Sequence, residues 1–237
     1  MKIGDGLTLV TGATGSGKTA FVVGWLRSVE GRPVYVQGIP GLRLPHSPAP
    51  PVADWVVERR SPEDPTLSLP YFDFPAQSWL IVDEAQRIYS PRPVSSRVPA
   101  IVGALSTRRH TGMDCVLLTQ HPALLDAAVR RLVTTHFHVH TTPYGRFLLR
   151  WDGACGDPSS SADRKLAERV RYAPDPAVFP LYQSAEAHTP RLRRIPRSAI
   201  VGSLLLVGVL GLSAFIYQRF SARLEPSNPA TVAASGL

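Results

Sequence analysis

The stretch LTLVTGATGSGKTAF, residues 7–21, limits the fold more than any other part of the chain. The apolar run at residues 7–10 predicts a buried strand, and the sequence after it matches the pattern G-x-x-x-x-G-K-[ST]. The glycines allow backbone N–H groups to turn towards phosphate oxygens, and the dipole of the following helix adds to this attraction. A chance glycine-rich turn would need neither the strand before it nor the helix after it. The sequence therefore predicts a nucleotide phosphate loop formed by Gly12, Ala13, Thr14, Gly15, Ser16, Gly17, Lys18 and Thr19.

The segment WLIVDEAQ follows this loop by about 65 residues and supplies two adjacent carboxylates. Asp83 stands at the end of its apolar run and, with the hydroxyl of Thr19, is a candidate ligand of Mg²⁺. Glu84 is a candidate base for an attacking water, and Lys18 is a candidate contact of the β- and γ-phosphates. An acidic pair after an apolar run is often only a strand end. The distance of this pair from the loop makes the pattern specific. The two adjacent carboxylates indicate ATP hydrolysis rather than kinase chemistry.

Polar residues in two further segments are candidates for the same chemistry. In LLTQHP, Thr119 and Gln120 end an apolar run and are candidate sensors of a terminal phosphate, with a capped strand-end turn as the alternative. In AVRRLV, Arg130 and Arg131 are candidate arginine fingers, which a neighbouring subunit would use to neutralise transition-state charge. Arg108 and Arg109, a second arginine pair, are the alternative fingers. A solvated helix face is the plainer explanation for any single arginine.

Strand and helix patterns alternate along residues 1–152, which predicts an α/β P-loop NTPase domain with a mostly parallel sheet. Residues 122–133 are predicted as one helix that begins at a proline. Residues 39–78 contain nine prolines and are expected to form an extended excursion without long helices. The alternating segments THFHVHTT and GRFLLRW surround PYG and predict a hairpin at the sheet edge. Residues 153–198 are predicted to form a polar, partly ordered linker.

The composition limits which binding partners and which cellular compartment are expected for the protein. The formal net charge of +8 suits nucleic acid, anionic lipid or simply an arginine-rich chain. The two cysteines, Cys115 and Cys155, match no disulfide framework or zinc pattern, and the N-terminus lacks the apolar stretch of a cleavable signal. His136, His138 and His140 alternate and would share one strand face, for which a half-exposed edge strand is preferred over a metal site. The unpaired cysteines and the absence of a signal pattern favour a cytosolic main domain.

An uncharged run of 19 residues at 199–217 predicts a single transmembrane helix, because such a run approaches the length needed to cross about 30 Å of hydrocarbon. Arginines on both sides make the alternative, a buried core helix, costly. The side richer in arginine is expected to stay in the cytoplasm, which leaves residues 218–237 as a short periplasmic tail. The flanking arginines are Arg191, Arg193, Arg194 and Arg197 before the run and Arg219 and Arg223 after it.

The segments TGATGSGKT, IVDEAQR and STRRHTGMDCVLLTQHPALLDAAVRRLV, with a single late apolar run, resemble the zonula occludens toxin (Zot) family. That family includes the assembly ATPases of filamentous bacteriophages. The resemblance implies an FtsK/HerA-like fold and a homo-oligomer in the host inner membrane that uses ATP and Mg²⁺ to extrude phage DNA. The implied partners are phage coat proteins and an outer-membrane channel, with phage single-stranded DNA as a further candidate.

Three alternatives share parts of this pattern. A DNA-pumping ATPase of a conjugation or packaging system would show the same phosphate loop. An adaptor that binds nucleotide without hydrolysing it would not need Asp83 and Glu84. A secreted toxin would need more chain after the apolar run than the 20 residues at 218–237.

Overall fold

A mostly parallel sheet forms the centre of the protein, which confirms the α/β class predicted from the sequence. The computed structural model describes residues 3–93, 95–183 and 197–224. The ten strands are β1 (Leu7–Thr11), β2 (Val34–Gln37), β3 (Ser47–Pro48), β4 (Val56–Arg60), β5 (Ser68–Phe72), β6 (Trp79–Val82), β7 (Asp114–Leu118), β8 (Thr135–Thr142), β9 (Gly145–Asp152) and β10 (Glu168–Tyr172). Eight of them pair in the order β10-β9-β8-β1-β7-β6-β2-β3. The neighbouring strands from β8 to β3 are parallel, so their carboxyl ends share one edge.

Helices cover both faces of this sheet. Successive side chains of a strand point to opposite faces. Accordingly, Leu9 belongs to an apolar cluster with Leu105 and Val129, whereas Val10 belongs to a second cluster with Val22. The helix that follows the phosphate loop therefore packs on one face, and two later helices pack on the other. The α-helices are α1 (Lys18–Leu26), α2 (Ala100–Thr107), α3 (Ala127–Leu132), α4 (Ser161–Lys165) and α5 (Arg197–Leu224).

The single helix predicted over residues 122–133 is divided in two. A 3-10 helix covers Pro122–Leu124, and α3 starts only at Ala127. Leu125 is extended between them, and the Asp126 carboxylate accepts a hydrogen bond from the Ala128 N–H at 2.7 Å. The carboxylate satisfies an N–H group that the first turn of a helix leaves free. This cap starts a new helix where the sequence pattern continued the old one.

The proline-rich excursion contains no long helix, as expected for residues 39–78. It holds the short strand β3, a 3-10 helix at Val52–Asp54 and the antiparallel pair β4–β5. Trp55 is fully buried in the apolar cluster on the α2 side, where it lies edge-on to Phe74. The excursion is thus attached to the core by aromatic packing.

The predicted hairpin is confirmed as the antiparallel pair β8–β9, but it does not form the edge of the sheet. β10 pairs antiparallel with β9 on its outer side. The sequence predicts a partly ordered linker from residue 153, whereas the structure places α4, β10 and a 3-10 helix at Pro176–Leu181 there. The polar, proline-rich composition of this segment did not indicate these elements. β10 in particular is mostly exposed, so its sequence shows little apolar periodicity. Residues 184–196 of that segment lie outside the described residues.

The chain forms two compact units, Met1–Thr189 and Pro190–Leu237. The second unit contains α5, in which side chains are described over residues 203–219. The sequence predicts a membrane-spanning helix at 199–217. Within the part of the chain that the structure describes, no helix is both long and apolar enough to cross a membrane. Of the predicted tail, residues 225–237 fall outside the described part.

Candidate nucleotide site

The loop between β1 and α1 has the backbone of a phosphate cradle. β1 is buried along its whole length and delivers the chain to the carboxyl edge of the sheet. Gly12, Gly15 and Gly17 have φ values of 146°, 65° and 104°, a region that residues with a side chain rarely adopt. A Cβ atom on Gly12 would lie 2.9 Å from the Val139 carbonyl oxygen. Glycine at position 12 is therefore required both by conformation and by space.

Lys18, the first residue of α1, lies almost buried over this loop. Its ammonium group donates to the carbonyl oxygens of Gly12 at 2.9 Å and Ala13 at 3.2 Å. The hydroxyl oxygen of Ser16 is buried and has no hydrogen-bond partner among the described residues. A buried hydroxyl without a partner is costly, and an anion seated in the loop would satisfy it. The loop thus fits the predicted phosphate group.

Asp83 and Thr19, the two residues predicted as Mg²⁺ ligands, lie in contact at the same edge of the sheet. β6 ends at Val82, and the Thr19 hydroxyl donates to the Asp83 carboxylate at 3.1 Å. The other carboxylate oxygen accepts from the Glu84 N–H at 2.8 Å. Burial raises the pKa of Asp83, and both hydrogen bonds oppose that shift. Hydroxyl and carboxylate oxygens are the donors that Mg²⁺ prefers, so the pair fits this ion.

Glu84 follows with its backbone in the left-handed region, at φ 52° and ψ 46°. Its carboxylate accepts a hydrogen bond from the side-chain amide of Gln86. The amide oxygen of Gln86 in turn accepts from the Thr119 hydroxyl at 2.7 Å. The sequence did not identify Gln86 as part of the site. The feature that could have indicated Gln86 is its position in the DEAQ segment, two residues after Glu84.

Thr119 and Gln120 lie between the loop and the acidic pair because β7 separates β1 from β6. The Gln120 carbonyl oxygen accepts from the Gly12 N–H at 3.2 Å, and the Gln120 side chain is exposed. The Thr119 side chain is buried. The structure therefore brings both candidate sensors to the loop.

The four candidate arginine fingers are not gathered at the loop of their own chain. Arg130 and Arg131 occupy the last turn of α3, shortly before Thr134, whose N–H donates to the Leu7 carbonyl oxygen at the start of β1. This places them towards the amino edge of the sheet. Arg108 is buried and donates to the Leu105 carbonyl oxygen at 2.6 Å, whereas Arg109 is exposed. A finger from this set would have to act on a neighbouring subunit.

A part of the predicted linker also reaches the loop. The Tyr172 hydroxyl donates to the Gly17 carbonyl oxygen at 3.3 Å, and its ring lies edge-on to Phe21 of α1. Directly after α1, Arg27 forms an ion pair with Asp175 at 2.7 Å. The end of β10 therefore contacts the end of the loop, and the segment after β10 contacts the end of α1. The sequence did not predict this contact, because Tyr172 and Gly17 are 155 positions apart.

Two of the three alternating histidines are hydrogen-bonded beneath the loop. The Cys155 N–H donates to Nδ1 of His136, so Nε2 carries the hydrogen and donates to the Thr11 hydroxyl oxygen at 2.6 Å. The Thr11 hydroxyl then donates to Nδ1 of His138 at 2.8 Å. Among residues 3–93, 95–183 and 197–224, no group of three or more histidine, cysteine or acidic side chains could hold a metal ion. The histidines thus brace the last residue of β1.

Burial keeps these histidines neutral and makes folding sensitive to acid. It lowers the pKa of His136 to about 3 and that of His138 to about 4, from 6.5. Between these values and 6.5 the unfolded chain binds protons that the folded chain does not, so stability is lost as the pH falls. Replacing His136 with glutamine should make the free energy of unfolding fall less steeply between pH 6 and pH 4, by about 1.4 kcal/mol per pH unit.

Urea denaturation at a series of pH values measures this slope. His46→Gln is the matched control, because His46 is exposed, and it should keep the wild-type slope. Equal slopes for His136→Gln and wild type would show that His136 does not titrate as described.

A mostly parallel α/β sheet, a phosphate loop after a central strand and an acidic pair after a nearby strand define a P-loop nucleotide-binding fold. Comparison with known proteins identifies the protein family within this fold class. The profile of the zonular occludens toxin (Zot) family matches residues 6–189. The chain therefore belongs to the Zot family, which confirms the resemblance noted in its motifs.

The phage Pf3 protein and the Neisseria meningitidis domain agree with this assignment, and a third protein has a weaker structural similarity. The chain is 32% identical over 217 residues to the putative assembly protein ORF301 of Pseudomonas phage Pf3, covering 88% of this chain and 66% of that protein. The N-terminal domain of zonular occludens toxin from Neisseria meningitidis matches with a TM-score of 0.61 and 30% identity, over 76% of this chain and 99% of the other. The genome packaging NTPase B204 of Sulfolobus turreted icosahedral virus 2 matches at a TM-score of 0.41 and 16% identity, over 62% of this chain and 92% of the other.

Proposed function

We propose that the protein is an ATPase, anchored in the host inner membrane, that powers the assembly and extrusion of a filamentous phage. The observation that carries the proposal is the contact between Thr19 and Asp83 beside the phosphate loop, with Glu84 next in the chain. This arrangement suits a hydrolase better than an adaptor that only binds nucleotide, because an adaptor has no use for a second carboxylate. The name of the Pf3 relative, an assembly protein, supports the biological role.

The residues divide the proposed chemistry among them. The loop N–H groups and Lys18 bind the phosphates of ATP, and Thr19 and Asp83 would hold Mg²⁺, which neutralises phosphate charge when bound. Glu84 takes a proton from the attacking water as general base. Gln120, next to the loop, is the proposed sensor of the terminal phosphate.

A homo-oligomer is part of the proposal. Arg130 and Arg131 lie away from the loop of their own chain, which supports action on a neighbouring subunit if either is a finger. The coupling partners would be phage coat proteins and an outer-membrane channel, with phage single-stranded DNA as a candidate cargo.

The proposal is tested in two stages with the full-length protein. Purified protein should release phosphate from ATP in a Mg²⁺-dependent reaction. Co-purification from phage-producing cells should then recover coat protein or the channel. Recovery of double-stranded DNA with neither of them would instead favour a DNA-pumping ATPase of a packaging system. Absence of phosphate release under all conditions would contradict the enzymatic part.

Membrane topology is the part of the proposal that is easiest to test by experiment. The uncharged run at 199–217 and the exposed large apolar side chains of α5 support an anchor. Four arginines before the run and two after it favour a cytoplasmic nucleotide domain and a periplasmic tail. We expect a reporter enzyme that is active only in the periplasm to be active when fused after Leu237. The same reporter fused near Ser184 should be silent, and the reverse pattern would overturn both the topology and the motor.

A further inference from the structure

The backbone of Glu84 is held in an uncommon conformation by two hydrogen bonds. Only two non-glycine residues in the described part of the chain have a positive φ, and Glu84 is one of them. Its N–H donates to the Asp83 carboxylate at 2.8 Å, and its carbonyl oxygen accepts from the Arg87 N–H at 2.9 Å. These bonds hold the main chain at the end of β6. They leave the direction of the Glu84 carboxylate to be decided by side-chain contacts.

The hydrogen bond between the Glu84 carboxylate and Gln86 can have only one donor and one acceptor. An ionised carboxylate only accepts hydrogen bonds, so Gln86 must present its amide nitrogen to Glu84. The amide oxygen of Gln86 then faces the Thr119 hydroxyl, which must donate. Hydrogen bonds therefore run in one direction, from Thr119 through Gln86 to Glu84.

The far end of this chain is tied to the phosphate loop. The Thr119 N–H donates to the Val10 carbonyl oxygen at 3.1 Å, and the Gln120 carbonyl oxygen accepts from the Gly12 N–H at 3.2 Å. Thr119 thus directly follows β7, the strand next to β1, and lies beside the start of the loop. If the loop shifts on nucleotide binding, it would move Thr119. Through the hydrogen bonds to Gln86, this movement would change the orientation of the Glu84 carboxylate.

We infer that Gln86 is a positioning residue, which holds the Glu84 carboxylate beside the end of β6 and makes its orientation depend on Thr119. This inference rests on the proposed ATPase function. Without the Gln86 amide, Glu84 can rotate among other side-chain conformations, and a smaller fraction of complexes is ready to react. Gln86 makes no hydrogen bond to the loop among the described contacts, so nucleotide affinity should change little.

The test is steady-state phosphate release by the purified full-length protein. Gln86→Met keeps length and volume but removes both hydrogen bonds, and we expect kcat to fall by ~10-fold while KM changes by less than ~2-fold. Gln86→Glu should be more harmful than Gln86→Met, because it sets two carboxylates against each other. Thr119→Val should also lower kcat, and Thr119→Ser, which keeps the donor, should lose less. The double variant Gln86→Met with Thr119→Val should be little worse than Gln86→Met alone.

Controls separate positioning from folding. Gln77→Met makes the same chemical change in an exposed side chain before β6, at the opposite edge of the sheet, and should keep wild-type kcat. Thermal unfolding of each variant reports any general damage.

Two results would overturn the inference while leaving the ATPase intact. One is wild-type kcat in Gln86→Met when Glu84→Gln is inactive, and the other is fully additive losses in the double variant. An inactive wild-type protein would instead refute the proposed function, and the inference would fall with it.

Discussion

Replacing Glu84 with glutamine is expected to slow ATP hydrolysis by ~10²-fold or more, because the amide cannot accept the proton of the attacking water. ATP binding should persist, since the phosphate loop and the Thr19–Asp83 contact are unchanged. Glutamine has nearly the size of glutamate, so the fold should be kept. Phosphate release measures turnover, and titration with a fluorescent ATP analogue measures affinity.

Glu63→Gln is the matched control for this experiment, because Glu63 is exposed on the proline-rich excursion. It should match wild type in both measurements. If Glu84→Gln turns over as fast as wild type, Glu84 is not the base and the acidic pair has another role. Loss of ATP binding in Glu84→Gln would point to damage of the loop instead.

Replacing Lys18 with alanine is expected to have the second large effect, on nucleotide affinity. Lys18 lies over the loop with its ammonium group on the Gly12 and Ala13 carbonyl oxygens, in the position to exchange them for phosphate oxygens. A hydrogen bond to a charged group contributes about 1.5–3 kcal/mol, so ATP should bind ~10- to 100-fold more weakly. Titration with the fluorescent analogue gives the dissociation constant.

Lys165→Ala provides the comparison, since Lys165 is exposed at the end of α4. It should bind ATP as wild type does. Because the two carbonyl contacts of Lys18 also hold the loop, thermal unfolding must be measured beside affinity. Unchanged affinity in Lys18→Ala would contradict the assignment of the loop to nucleotide phosphates.

The parts of the site that sequence alone could predict are those formed by neighbours in the chain. An apolar run, three glycines and a lysine within 13 residues form a strand, a loop and a helix almost regardless of the rest. The segment WLIVDEAQ likewise carries its carboxylates at a strand end. The mostly parallel sheet followed from strand–helix alternation, because parallel strands need such crossovers.

Only the tertiary structure decided which distant residues meet these motifs. Gln86 and Thr119 are 33 positions apart and meet because β7 lies beside β6. Thr11 and His136 are 125 positions apart and meet because β8 lies beside β1. Strand order is set by packing over the whole sheet, and no local pattern of residues records it. The motifs could therefore be recognised from the sequence, whereas the residues that orient them were determined only by the order of the strands.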